Sequence, residues 1–417
     1  MFFYSNNIMS KKNIYTMGWL MWLLAAVFYG LDYFQHTAPS VLLKPISQGL
    51  SLSVVHVGDI MSIYFPIYAI SQLPAGFILD KFGTRMVLSI ACLVVSVGLI
   101  FMAVSIGDLE LIIGRVLIAI GSAFAFLGAL KVAADWLSSK VFPIAVGLTN
   151  SMGVLGGMFG QVLFNAMILQ LDWRVALWCI AIFGIILSII LAIFLRNNVS
   201  VVLATSQNRV MVSDLKLLKS KQLWFLALYA GIMVGTVVNA FSELYDVVFL
   251  EYAYNIKSEA AAAISTMVFV GIAVGGPLHS TIAKLFHSKK LWMIVANIAT
   301  ITIFGLIAIF HRFISIDVLY VLYFLLGFFV SSMLLAFAIG KEIFPENVHG
   351  MTMAVINMVI GVSGAIFQPL LGVLFNYLNG GLEEIKNPNT FSLGFLILFV
   401  PLVMSLVFCL MIKRKPS

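Results

Sequence analysis

Apolar runs of about 20 residues recur along the whole chain, and each is long enough to cross a hydrocarbon core of ~30 Å as a helix. The composition is 62% hydrophobic and only 10% charged, whereas soluble domains are about half apolar and about a quarter charged. Within lipid, each segment must satisfy its own backbone hydrogen bonds, which favours helices. The sequence therefore predicts an all-α membrane protein.

Twelve spans are expected, and they divide into two sets of six. The first set is predicted at Met17–Leu43, Val54–Leu79, Met86–Val104, Leu111–Leu130, Pro143–Leu171 and Val175–Leu195. The second set is predicted at Leu223–Leu250, Ala261–Ala283, Leu291–Phe310, Val318–Ile339, Met351–Leu378 and Phe391–Met411. This division predicts an N-terminal six-helix bundle over residues 1–195, a cytoplasmic linker over 196–222 and a C-terminal six-helix bundle over 223–417.

The distribution of Lys and Arg predicts the orientation, because positively charged loops stay in the cytoplasm. If the amino terminus is inside, 17 of the 24 basic residues face the cytoplasm and 5 face outward, while Arg115 and Lys131 belong to the fourth span. We therefore expect a multi-pass protein of the bacterial cytoplasmic (inner) membrane with both termini cytoplasmic. Topology and anionic lipid account for the net charge of +7, so nucleic-acid binding is not expected.

Catalytic, redox and metal chemistry are not indicated. The three cysteines, Cys92, Cys179 and Cys409, lie inside apolar spans, and the sequence has no CxxC and no His cluster at metal-ligand spacing. It also offers no nucleophile–base arrangement and no phosphate-binding loop. We expect no metal, no cofactor and no enzymatic activity, and we expect a monomer in membrane lipid.

An internal repeat relates the two halves. The pattern N-x6-G-x3-Q occurs in the fifth span and again 207 residues later in the eleventh, as Asn150, Gly157 and Gln161 and as Asn357, Gly364 and Gln368. The same offset places Asp32 on Asn239 and His36 on Glu243. Six spans separate each pair, so the halves share one membrane orientation. Chance similarity between membrane helices is the alternative, since they use a restricted set of residues.

The segment GFILDKFGTR follows the second span. Gly76 permits close helix approach, Asp80 can cap a neighbouring helix or pair with a base, and Lys81 and Arg85 can anchor at the inner interface. With Gly83, these residues resemble the signature loop of the major facilitator superfamily, G-x3-D-[RK]-x-G-x-[RK]. We call residues 76–85 the signature loop.

Other residues extend this resemblance over nearly the whole chain. Arg115 and Gly121 resemble the R-x5-G of the superfamily's fourth helix, and Trp173 and Arg174 resemble its W-R before the sixth. The resemblance implies the major facilitator fold, in which two pseudo-symmetric six-helix bundles rock about a central cavity. It also implies that the signature loop gates this motion.

A narrower resemblance rests on residues 64–85 and 356–372. Both segments are similar to the phagosomal nutrient transporter group of intracellular bacteria, which carries amino acids, nucleosides and related solutes. The fifth span has Met158 where drug/proton antiporters usually have G-P, which argues against multidrug efflux.

Charged residues inside spans are candidates for transport, since each costs at least ~2.5 to 3.5 kcal/mol on insertion scales. Asp32 is either a proton site, together with His36 four residues away, or a static ion partner of Arg115. Arg115 either binds a substrate carboxylate or is structural. Glu243, with Asn239, is the repeat-related candidate, although solvated rim charges are the alternative for Glu243 and Asp246. For Lys131 we expect snorkelling to the headgroups.

A polar stripe runs through the second span as Tyr64, Tyr68 and Gln72, four residues apart, and we expect it to line the cavity. The amides of the repeated pattern, from Asn150, Gln161, Asn357 and Gln368, hydrogen-bond either to the solute or between helices. These residues predict a secondary active transporter, namely a proton-coupled importer of a small polar metabolite such as an amino acid. The alternatives are export of a metabolite or siderophore, and a non-transporting receptor with the same fold.

Overall fold

The computed structural model describes residues 11–36, 39–52, 54–198, 212–378 and 388–413. Within these residues every regular element is helical and no strand occurs. Twelve helical segments are long and apolar enough to cross a membrane, which confirms the all-α fold with twelve spans. Numbered in chain order, span 1 to span 12 are Thr16–Gln35, Ile60–Phe82, Thr84–Ala103, Asp108–Trp136, Phe142–Phe159, Trp173–Phe194, Lys221–Glu243, Ala260–Leu285, Lys289–Phe313, Ile316–Ile343, Glu346–Phe375 and Leu393–Met411.

Several spans consist of more than one helix. In the first half the α-helices are Lys11–His36, Pro39–Leu50, Val54–Ser62, Tyr64–Phe82, Thr84–Ala103, Asp108–Ser122, Ala125–Trp136, Phe142–Leu171 and Trp173–Phe194. In the second half they are Lys221–Val234, Asp246–Tyr254, Ser258–Leu285, Lys289–Phe310, Ile316–Val330, Leu335–Ile343, His349–Leu378, Pro388–Ile397 and Phe399–Met411. Short 3₁₀ helices cover Val212–Lys219, His311–Phe313, Ser331–Leu334 and Glu346–Val348, and a π-helix covers Gly235–Tyr245.

The packing of the spans repeats between the halves. Span 1 packs on span 5 and span 3 on span 6, while span 7 packs on span 11 and span 9 on span 12. Two further pairs join the halves, namely span 2 with span 11 and span 5 with span 8. Span 2 corresponds to span 8 in the repeat, and span 11 corresponds to span 5, so the repeat converts one pair into the other. The interface between the halves therefore has approximate two-fold symmetry.

Small residues bring the two halves into backbone contact. A Cβ atom added at Gly147 in span 5 would lie 2.1 Å from the carbonyl carbon of Gly276 in span 8. One added at Gly76 in span 2 would lie 2.6 Å from the Cβ of Ala354 in span 11. Larger side chains would force these helices apart, so the glycines set the distance between the halves.

Candidate functional site

Asp32 is a buried carboxylate near the end of span 1, where its side chain is only 3% exposed. The Ser122 hydroxyl, from span 4, donates to its Oδ1. Gln35 Nε2 donates to the same oxygen at 2.9 Å and to Ser122 Oγ at 3.1 Å. Two neutral donors therefore hold this carboxylate in place.

Arg115 is buried in span 4, where Nε and Nη2 donate to the Met61 carbonyl at 3.3 and 3.1 Å. Its guanidinium lies 4.9 Å from the centre of the Tyr64 ring. The four ion pairs among the described residues do not include Asp32 with Arg115. The static ion pair considered for these two residues is therefore absent, because backbone and ring contacts hold the arginine instead.

The polar stripe of span 2 faces span 11 of the other half. The Tyr64 and Tyr68 rings stack with their centres 5.4 Å apart. Asn357 Nδ2 donates to Tyr68 Oη at 3.3 Å and to Gln72 Oε1 at 3.1 Å. Gln72 is fully buried, and its Nε2 has no hydrogen-bond partner among the described residues. The stripe thus belongs to the interface between the halves and retains an unused donor there.

In span 7, Asn239 and Glu243 both lie in the π-helix Gly235–Tyr245. Asn239 is half-buried against span 11, since a Cβ atom at Gly364 would lie 2.1 Å from its Nδ2. Glu243 is exposed, and its carboxylate acts electrostatically on Tyr33 of span 1, from the other half. Glu243 is therefore open to solvent at the interface, whereas Asp246 is only 1% exposed, so the rim interpretation of Asp246 is wrong.

Three candidate side chains, those of His36, Gln161 and Gln368, lie outside the described side chains. The predicted roles of these residues stay predictions. Asn150 is half-buried in span 5, and its Nδ2 has no partner among the described residues.

The signature loop joins the halves through Asp80. Its Oδ1 accepts from the Gly350 backbone N–H at 3.0 Å, and its Oδ2 accepts from that of Met351 at 2.9 Å. These N–H groups belong to the first turn of helix His349–Leu378, where orphan donors and the helix dipole favour a negative charge. Asp80 also pairs with Lys131 Nζ at 3.2 Å.

Lys131 is 3% exposed and pairs with both Asp80 and, at 3.0 Å, Asp135. The interpretation that it snorkels to the headgroups is wrong, because two carboxylates hold its ammonium inside the protein. The bases expected to assist Asp80 lie elsewhere. Lys81 is exposed over the Phe82 ring, and Arg85 Nε donates to the Ala192 carbonyl at 2.8 Å.

Gly83 begins the turn after span 2 with φ +79°, a conformation that favours glycine. The Asn197 side chain lies against it, and its Oδ1 accepts from the Arg85 backbone N–H at 2.9 Å. The loop is thereby attached to the end of span 6.

Lys341, in span 10, makes a second contact between the halves. Its Nζ donates to the carbonyls of Ala134 at 2.6 Å and Leu137 at 3.2 Å, at the end of span 4. Carbonyls at a helix C-terminus lack intrahelical donors, so a cation is favourable there. The Asp80 and Lys341 contacts close the end of the bundle that carries the signature loop, and we call them the closing contacts.

The sequence reasoning missed several of these residues, namely Gln35, Ser122, Asp135 and Lys341. Gln35 lies three residues after Asp32, a spacing that puts both on one helix face. Asp135 lies four residues after Lys131, so local spacing was a usable signal for both. Ser122 and Lys341 act across spans, and no local pattern reveals them.

The family model of the Major Facilitator Superfamily matches residues 23–253 and 244–417. The chain belongs to the major facilitator superfamily. The match covers both halves and confirms what the signature loop predicted. The narrower resemblance to the phagosomal nutrient transporter group stays a prediction.

Curated relatives are transporters. The chain is 31% identical over 185 residues to the uncharacterized transporter YybO of Bacillus subtilis, covering 44% of this chain and 42% of the relative. It is 28% identical over 187 residues to a probable L-galactonate transporter of Escherichia coli, covering 45% and 41%. It is 22% identical over 311 residues to a galacturonate transporter of Dickeya chrysanthemi, covering 70% and 89%. The chain thus spans less than half the length of the first two.

Solved structures share the fold. The proton:xylose symporter XylE matches with a TM-score of 0.72 at 14% identity, covering 95% of this chain and 96% of that one. The Escherichia coli fucose:proton symporter FucP matches with a TM-score of 0.67 at 16% identity, covering 95% and 99%. At these identities the likeness shows the fold alone.

Proposed function

We propose that the chain is a secondary active transporter that imports a small carboxylate-bearing solute together with protons. Residues 1–195 and 223–417 would move as two bundles joined by the linker 196–222, and the solute would bind between them. The observation that carries the proposal is Asp32, a buried carboxylate that is held by Ser122 and Gln35 without a basic partner among the described ion pairs.

A proton site needs a carboxylate whose charge is costly when the site is closed and tolerated when it is open. Asp32 meets the first requirement, because burial of an unpaired charge is strongly unfavourable. Ser122 and Gln35 donate hydrogen bonds to the charged form of Asp32 and orient it, so the carboxyl group can still release its proton. Arg115 lies nearby behind Tyr64 and supplies positive potential rather than a direct ion pair.

Polar groups at the interface would contact the solute. The Gln72 amide donor is unused, Asn357 and Tyr68 link the halves, and Glu243 is open to solvent. The Arg115 guanidinium would attract a solute carboxylate from beneath Tyr64. These contacts support an anionic or zwitterionic solute of modest size.

The names of the relatives favour a sugar acid as the first solute to test. Those names state L-galactonate and galacturonate, and another relative, 23% identical over 188 residues, is a probable sulfoacetate transporter of Cupriavidus necator. All three solutes carry an acid group, as amino acids do. Export of a metabolite or siderophore, and a receptor role, are the competing functions.

The closing contacts support an outward-facing state, if the signature-loop end is cytoplasmic as the charge distribution predicts. Asp80 and Lys341 close that end, so the solute would enter from the opposite end, where Glu243 is exposed. Alternating access would then require both closing contacts to break.

The test is uptake into proteoliposomes with an imposed pH gradient, using a panel of hexuronates, galactonate, sulfoacetate and amino acids. We expect accumulation of one acid class that disappears when a protonophore collapses the gradient. Accumulation in the opposite direction would support export, and absence of flux with measurable solute binding would support a receptor.

A further inference from the structure

Asp246 is a buried carboxylate that lies outside the site described above. It begins helix Asp246–Tyr254, directly after the π-helix of span 7. Its side chain is 1% exposed, and neither carboxylate oxygen has a hydrogen-bond partner among the described residues. The ion pairs of the described residues do not include it.

Three hydroxyl groups from three spans lie in the neighbourhood of this carboxylate. Ser242 lies one turn earlier, and its buried Oγ has no partner among the described residues. Ser265, from span 8, lies beside the Asp246 carboxylate, and its hydroxyl donates to the Ser242 carbonyl at 3.4 Å, near the outer limit of a hydrogen bond. Tyr323, from span 10, is fully buried within electrostatic range of Asp246, and its Oη has no partner within the same described residues.

Among the described residues, no other group near Asp246 supplies positive charge to it. Glu243 lies three residues earlier, in the π-helix, and is itself an acid. Tyr254, at the other end of that helix, donates its hydroxyl to the His311 carbonyl at 2.6 Å. The Phe249 ring, one turn after Asp246, packs on the His311 ring at 5.3 Å and on the Phe391 and Phe395 rings of helix Pro388–Ile397.

An unpaired carboxylate in such a place is unfavourable, so it must be neutralised by a cation that it binds. All of the unpartnered atoms are oxygens, which select hard cations rather than the transition metals that nitrogen and sulfur ligands hold. A single carboxylate balances a single positive charge. We propose that Asp246, with Ser242, Ser265 and Tyr323, forms a second cation site that takes one monovalent cation, either sodium or a proton.

The π-helix explains why this site exists beside Glu243. Its i→i+5 hydrogen bonds alter the angular spacing of side chains, and such segments occur frequently at functional sites. The Asp246 backbone N–H bonds to the Phe241 carbonyl in this way. Glu243 is thereby exposed at the interface while Asp246 points into the second half.

The site would give the second half its own coupling ion. This role rests on the proposed function, secondary active transport. Glu243, three residues away and open to solvent, would attract the cation towards Asp246. Binding of the cation needs no solute and no transport, so it can be measured separately.

Two binding measurements on the purified full chain in nanodiscs distinguish a bound sodium ion from a bound proton. Radioactive sodium binding at constant ionic strength tests sodium, and the infrared C=O stretch of a protonated carboxyl group tests the proton. The variants are Asp246→Asn, which keeps the shape of a neutral carboxyl, and Tyr323→Phe, which removes one hydroxyl. The control is Asp317→Asn, an exposed acid of span 10.

If sodium is the ligand, Asp246→Asn abolishes sodium binding, and Tyr323→Phe weakens it about tenfold, as the loss of one ligand contact implies. If the proton is the ligand, a carboxyl C=O band present in the wild type at neutral pH is lost in Asp246→Asn and shifts in Tyr323→Phe. Asp317→Asn leaves both signals unchanged. Wild-type protein with neither signal, or with signals that survive in Asp246→Asn, overturns the proposal, whatever the uptake assay shows.

Discussion

The backbone N–H of Met351 donates to the Asp80 carboxylate at 2.9 Å, although the two residues lie 271 positions apart and in opposite halves of the chain. Asp80 thus caps a helix of the other half while it pairs with Lys131 of its own. If the halves rock as proposed, the cap would break, while Lys131 would keep its pair with Asp135. Asp80 of the signature loop would thus give up the helix of the other half and retain Lys131 of its own half.

Asp80→Asn is expected to slow transport without abolishing solute binding. The amide still accepts one hydrogen bond, but it loses the charge that the helix N-terminus and Lys131 favour, worth about 0.3 to 2 kcal/mol at the helix dipole alone. Uptake and equilibrium solute binding, measured at equal expression, check this. The matched control is Lys81→Gln, since Lys81 is exposed in the same loop. Unchanged uptake in Asp80→Asn would show that the loop only anchors the topology.

Lys341→Gln is expected to shift the protein towards opening at the signature-loop end. Loss of charge-assisted hydrogen bonds worth about 1.5 to 3 kcal/mol changes the ratio of closed to open protein by about tenfold to a hundredfold. Distances between spin labels on the two halves report this ratio. Lys290→Gln is the control, because Lys290 Nζ bonds to the Leu410 and Ile412 carbonyls within one half. Equal distance distributions in the two variants would contradict the role of Lys341.

Gly76→Ala is expected to reduce transport, because the added Cβ would meet Ala354 at 2.6 Å and the Gly350 carbonyl at 2.8 Å. The halves could then not close fully at this end. Gly361→Ala is the control, since a Cβ there meets nothing within 4 Å and alanine favours a helix by about 0.5 to 1 kcal/mol. Cysteine accessibility at the signature-loop end, measured beside uptake, should rise only in Gly76→Ala. Equal uptake in both variants would argue against a role for the close approach of span 2 to span 11 at Gly76.

Cysteine labelling tests the orientation. A cysteine at Lys140, between spans 4 and 5, should react only after a permeant reagent enters the cell. One at Lys257, before span 8, should react with an impermeant reagent in intact cells. Both positions are exposed. Rapid labelling of Lys140→Cys from outside would reverse the assignment, and the closing contacts would then face outward.

Much of the fold was predictable, because apolar length reports a membrane span directly and the signature loop carries a specific pattern. The hydrogen-bond and ion-pair partners of the buried polar groups were not predictable from the sequence. Lys131 sits at the end of span 4, where snorkelling is the usual outcome, and only the packing of span 2 brings Asp80 to it. The repeat identifies Asn239 and Glu243 as candidates, but no sequence pattern predicts the π-helix in which both lie.

The central claim is that protonation of Asp32 drives accumulation. Asp32→Asn keeps the shape of the protonated side chain, so exchange of solute across the membrane should persist. Accumulation should be lost, because a permanently neutral side chain cannot pick up and release a proton. Asp108→Asn is a control in the same half, since Asp108 is the first residue of helix Asp108–Ser122 and makes a partly exposed ion pair with His56 at 2.7 Å.

The decisive measurement is therefore solute uptake into proteoliposomes containing Asp32→Asn, with and without an imposed pH gradient. Internal solute is expected to rise only to the external concentration while counterflow exchange continues. If Asp32→Asn still concentrates solute in response to the gradient, Asp32 does not bind the driving proton and the account is contradicted.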